Sequence, residues 1–160
     1  MSHIQGIVVN LKTSDGDKDG TDDNMYIGVA GTGGGREFPL GTNNFDDYEK
    51  GSDVTYALGV VWDGVAISDP EVKNPRFSTN NDVNDPSHSN LVLSEVNQVY
   101  IRKAGTRKSD GDDRHEFDSL RVTLYGSSAE SRTFETVTRG RTILSNLTGL
   151  QIWLREIEPA

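Results

Sequence analysis

A chain of 160 residues with 33% hydrophobic content and 17 glycines is sized for one domain, and its many turn formers suit short strands better than helices. A formal net charge of -9 argues against binding a nucleic-acid backbone, which needs clustered Lys and Arg, and the absence of cysteine excludes disulfides and thiolate metal sites. No run approaches the roughly 20 apolar residues of a membrane span, and residues 1–5 lack the basic and apolar regions of a signal peptide.

Residues 6–13 are rich in β-branched side chains and predict a strand, which the acidic run 14–24 ends. A second strand is expected over 25–30, a glycine turn over 31–35 and a short strand over 36–40. The polar loop 41–53 follows, then strand character from 54 to 61 that 62–67 could continue. Three prolines and many Asn, Asp and Ser residues mark 69–89 as irregular, so a loop insertion is expected at about 62–90.

Residues 90–103 offer Leu91, Leu93, Val96, Val99 and Ile101 to a core, as two strands or one bent strand. After a second acidic loop, Leu120, Val122 and Leu124 alternate with Arg121, Thr123 and Tyr125, the pattern of a half-buried strand. Further strands are expected over 133–137, 141–144 and 150–157, the last alternating Ile152 and Leu154 against Trp153 and Arg155. Short strands at this spacing predict an all-β chain, an antiparallel β-sandwich of about eight strands forming a single domain over 1–160.

The chemistry concentrates in loops. Asp15, Asp17, Asp19, Asp22 and Asp23 crowd nine positions and repel one another unless solvated or neutralised, and calcium suits such a set because it takes oxygen ligands in flexible geometry. Asp15-x-Asp17-x-Asp19-Gly20 matches the first half of an EF-hand loop, but Tyr26 stands where the bidentate Glu belongs and the flanks read as strands. The four residues Ser14-Asp15-Gly16-Asp17 recur as Ser109-Asp110-Gly111-Asp112, opening the second acidic loop.

Elsewhere the residues favour structural roles. Ser87-His88-Ser89 and His115-Glu116 are read as structural rather than catalytic, so no catalytic residue is assigned and the chain is not expected to be an enzyme. Gly31 to Gly35 lacks the Lys and helix of a phosphate-binding loop. Trp153 is expected in the core, while Lys12, Arg102, Lys103, Arg107 and Lys108 are expected on solvated faces.

Thr13-Ser14-Asp15 through Gly20-Thr21-Asp22-Asp23-Asn24-Met25-Tyr26-Ile27 resembles the opening motif of PLAT/LH2 (C2-like) domains, in which a Gly-Thr-Asp turn leads into an aromatic-containing strand. Together with Gly51-Ser52-Asp53-Val54-Thr55-Tyr56 and Val99-Tyr100-Ile101-Arg102-Lys103, it is similar to the calcium-binding C-terminal module of clostridial phospholipase C toxins. The resemblance covers residues 6–61 and 91–124; the loop is one residue shorter before Gly20, and His115, Glu116 and Phe117 stand where a tryptophan is often found.

That resemblance implies a calcium-dependent module that docks onto membrane phospholipid or a partner protein through metal-organised loops. It implies one ion held by Asp19, the Gly20 carbonyl, Asp113 and the Arg114 carbonyl, and a second between Thr21, Asp22, Asn44, Asp46 and Asp47. Phe45 and Tyr48 flank these ligands as candidate membrane anchors. A secreted or peripheral-membrane location would follow. The alternative is a protein- or carbohydrate-binding module that calcium merely stabilises.

Overall fold

The computed structural model describes residues 2–16, 24–40, 51–59, 75–77, 85–104, 115–128, 130–136, 142–145 and 149–157, with backbone alone for 75–77. Their strands are β1 (Ile4–Thr13), β2 (Met25–Gly31), β3 (Gly34–Leu40), β4 (Asp53–Gly59), β5 (Pro75–Phe77), β6 (Val96–Lys103), β7 (His115–Gly126), β8 (Ser131–Glu135), β9 (Thr142–Leu144) and β10 (Gln151–Ile157). Single 3-10 turns lie at Pro86–His88 and Leu93–Glu95. The all-β reading holds, with ten strands among the described residues where about eight were expected.

One sheet is built on β1, which pairs antiparallel with both β4 and β7; β8 and β9 extend it from β7, and β5 joins β4 in parallel. The other sheet runs β3-β2-β6-β10, all antiparallel. β10 belongs to both. Its residues Gln151 to Leu154 pair with β6, and Arg155 to Ile157 pair with β8 in the first sheet. The hydrogen-bonded path is therefore continuous from β3 to β5.

Period-two alternation explains which side chains fill the space between the sheets. Ile7, Val9 and Leu11 on β1, Leu120, Val122 and Leu124 on β7, and Tyr56 and Leu58 on β4 meet Met25, Ile27 and Val29 on β2, Phe38 on β3, and Val99 and Ile101 on β6. All are buried. Leu91 and Leu93 join them from the chain leading into β6, where the 3-10 turn at Leu93–Glu95 resolves the expected bent region into a turn and one strand.

Parity also corrects two expectations. Lys103, assigned to a solvated face, follows Val99 and Ile101 at two-residue spacing and is fully buried. Trp153, assigned to the core, lies opposite in phase to Ile152 and Leu154 and is 51% exposed. Within the expected insertion at 62–90, β5 and the turn at Pro86–His88 are the regular elements among the described residues. No helix among those residues is long and apolar enough to cross a membrane.

Candidate functional site

The far end of the sandwich fixes how the two sheets run relative to each other. There the start of β1 meets the chain entering β6: Ile4 N donates to Leu91 O (2.8 Å), Leu93 N donates to Ser2 O (2.9 Å), and His3 bridges to Val92. Arg132, on β8 of the first sheet, donates to Val96 O at the start of β6 (2.8 Å). With those ends pinned, the end of β1, the end of β6 and their antiparallel partners all point to the opposite pole.

Register gathers strand termini from both sheets at that pole. Lys12 pairs with Asp53 at the start of β4, and Thr13 pairs with Phe117 near the start of β7. In the second sheet Met25, the first residue of β2, pairs with Leu40 and Lys103, the last residues of β3 and β6. Four connections therefore leave this pole and cross between the sheets: 14–24, 41–52, 104–114 and the shorter 145–150, of which the first three are the long polar ones. Those three are the loops that the sequence singles out.

Their roots are stitched together by hydrogen bonds. Thr13 N donates to Ser52 O (2.8 Å), Gly51 N to Ser14 O (3.0 Å), Ser14 N to Glu116 O (3.0 Å) and Ala104 N to Asn24 O (2.8 Å). The Ser14 hydroxyl donates to Asp118 Oδ1 at 2.6 Å, and Thr13 Oγ1 lies 2.9 Å from Nε2 of the buried His115, whose ring stacks on Phe117. Gly51 adopts φ +70, and a Cβ there would come within 2.9 Å of Asp15 Oδ1, so the turn carrying the second loop back to the sheet fits against the first.

The charge on these loops is lopsided. Residues 14–24 hold five acidic residues and one Lys, 41–52 hold three acidic and one basic, and 104–114 hold three of each, so six of the chain's nine net negative charges belong to one pole. Lys103 is the buried cation among the described residues at the root of this pole. Its ammonium donates to Ala104 O at 3.0 Å from a fully buried position, with the β6 backbone held by Lys103 N donating to Leu150 O.

The expected ligands Asp19, Gly20, Thr21, Asp22, Asn44, Asp46, Asp47, Asp113 and Arg114, and the expected anchors Phe45 and Tyr48, lie outside the described residues. Among the described residues no three His, Asp or Glu side chains come together as a metal centre. Sequence reasoning missed Lys103 as part of this pole. Its signal was present, in the two-residue spacing from Val99 through Ile101 to Lys103.

The Ser87-His88 pair has a different role from nucleophile and base. Asp85 Oδ1 accepts from the Ser87 hydroxyl (2.6 Å) and the Ser87 amide (3.0 Å), while His88 Nε2 lies 3.7 Å from Asp85 Oδ2. The carboxylate thus caps the 3-10 turn at Pro86–His88. A hydroxyl hydrogen bonded to a carboxylate instead of the imidazole is positioned to close a turn.

No protein-family profile and no curated protein matches the sequence. Solved structures do. An alpha-toxin from Clostridium absonum superposes with a TM-score of 0.61 at 22% identity over 95% of this chain, and one from an avian strain of Clostridium perfringens with 0.58 at 17% over 97%. A coral 8R-lipoxygenase, described as calcium-activated through a C2-like domain, gives 0.52 at 15% identity over 94%. The chain spans 31% and 32% of the two toxins and 17% of the lipoxygenase. Two largely antiparallel sheets, long cross-sheet loops gathered at one pole and these superpositions give the same answer: the chain has a PLAT/C2-like β-sandwich fold.

Proposed function

We propose that this chain is a calcium-dependent docking module that attaches to a lipid surface through the three Asp-bearing loops at one pole of the sandwich. The observation that carries the reading is the gathering of loops 14–24, 41–52 and 104–114 onto hydrogen-bonded roots at a single end. Their donor set fits the ion: carboxylates, an amide, a hydroxyl and backbone carbonyls are hard oxygen ligands, and the described strands around them supply no thiolate. The likeness to structures that include a calcium-activated C2-like domain supports the same assignment.

Asp19 and Asp113, with the Gly20 and Arg114 carbonyls, would hold one ion; Thr21, Asp22, Asn44, Asp46 and Asp47 would hold another. Bound calcium supplies positive charge where the loops alone repel phosphate headgroups. Tyr48 then enters the headgroup layer beside the ligands, where a ring with a polar hydroxyl is stable, and Phe45 adds an apolar ring next to it. The role is non-catalytic.

Co-sedimentation with phosphatidylcholine and phosphatidylserine vesicles, in calcium and in EGTA, tests the docking step. Binding is expected in calcium alone, and absence of binding at saturating calcium overturns it. Calorimetric titration separates the metal from the membrane: Asp22→Asn and Asp113→Asn each weaken calcium binding, and unchanged heats in both variants overturn the ligand assignment.

A further inference from the structure

The outer face of the second sheet carries a preorganised aromatic platform that the polar loops do not explain. Register lays it out in rows: Glu37, Gly28, Tyr100 and Trp153 lie side by side across β3, β2, β6 and β10, and Pro39, Tyr26, Arg102 and Gln151 form the row beside them. Tyr100 and Trp153 meet edge to face, with ring centroids 5.0 Å apart and planes at 69°. Gly28 is the seat of the Tyr100 ring, since a Cβ there would stand 1.9 Å from Tyr100 Cζ.

Polar groups lock the rings. The Tyr100 hydroxyl donates to Glu37 Oε2 (2.9 Å), Arg102 Nε donates to the same oxygen (2.7 Å) and Arg102 Nη2 to Glu37 Oε1 (2.9 Å). The Arg102 guanidinium also lies 4.3 Å from the Tyr26 ring centroid. That two-point ion pair holds the Glu37 carboxyl below its usual range, while burial and the hydrogen bond to Glu37 push the Tyr100 hydroxyl up. Trp153 is the large exposed hydrophobic among the described residues, and its half-exposed ring is held in place by a neighbour that is itself held.

We infer that this face binds a neutral carbohydrate, with the pyranose C–H face stacked on Trp153 and its hydroxyl rim met by the planar polar groups of Glu37, Arg102 and Gln151. Three features select that occupant. Arg102 and Glu37 cancel each other, so the middle of the face matches an uncharged ligand. Pro39 is the aliphatic side chain in these rows, and a charged pair stands at their middle, where the core of a protein interface is depleted of charge. An aromatic wall beside a few fixed polar groups is the composition of a small-ligand site that reads hydroxyl orientation.

The inference is independent of the calcium loops, and its test is run in EGTA so that either reading can fail alone. Calorimetric titration of the full chain with cellohexaose, xylohexaose and maltohexaose, each to about 10 mM, is expected to give saturable binding with at least one. Trp153→Ala is expected to raise that Kd about tenfold or more with the fold retained, and Trp153→Phe to recover part of the loss. No saturable heat from any of the three sugars overturns the proposal, as does an unchanged Kd in Trp153→Ala. Self-association of the native chain that disappears in Trp153→Ala, with no sugar bound, also overturns it and gives the face to a second copy.

Discussion

Gly28 shows how much a single missing Cβ positions. The Tyr100 ring occupies the volume that a side chain at 28 would take, and the ring's hydroxyl is anchored on Glu37. Gly28→Ala therefore forces the ring off its seat, with an expected loss of about 1–3 kcal/mol by denaturant unfolding, as for other small-to-large changes in packed sites. At this scale the sequence is legible where parity is followed. Lys103 and Trp153 were misassigned because a charged residue was placed outside and an aromatic inside by type, whereas Ile101 and Ile152 already set the phase of their strands.

Among the elements, β8 ties the sandwich through Arg132. Its guanidinium donates to the carbonyls of Leu93 (2.6 Å) and Val96 (2.8 Å), and to both carboxylate oxygens of Glu156 on β10 (2.7 and 2.8 Å). The two carbonyls belong to buried residues and matter more than the partly exposed ion pair, because an unsatisfied buried acceptor costs about 1–3 kcal/mol and an exposed pair under about 1 kcal/mol. Arg132→Ala should thus destabilise substantially more than Glu156→Gln in chemical denaturation.

The Glu156 carboxyl is held below its usual range chiefly by the Arg132 hydrogen bond, so the pair stabilises above the ordinary glutamate pKa. That contribution is lost as pH falls through the lower folded value. Thermal unfolding from about pH 6 down to about pH 3 should show a smaller acid-induced drop for Glu156→Gln than for the native chain. The strands themselves were legible from alternation, as in Leu120, Val122 and Leu124. The two-sheet pairing of β10 was not, because alternation sets which face a side chain takes and says nothing of which strand lies alongside.

For the whole molecule, the charge gathered at the loop pole makes stability a readout of metal binding. Six net negative charges on three loops with common roots repel in the apo state, so an ion that binds the native loops raises the melting temperature by mass action. At calcium about 100 times its Kd the gain is about 2.7 kcal/mol for one site, and EGTA should reverse it in a thermal scan. An unchanged melting temperature would remove the metal from the proposal. The sequence could announce the loops through their carboxylates; their meeting at one pole depends on pairings such as Lys12 with Asp53 and Met25 with Lys103, which are long-range and leave no local mark.

β10 has a mechanical consequence. Because one continuous strand is laddered to β6 at one half and to β8 at the other, the two sheets have no free slip plane between them along that side. A pull applied at the loop pole is carried through backbone and ladder into both sheets at once, instead of shearing one layer across the apolar filling. Trp153 sits on that same strand and its ring partner Tyr100 on the strand laddered to it, so tension on a tethered module would reach both together.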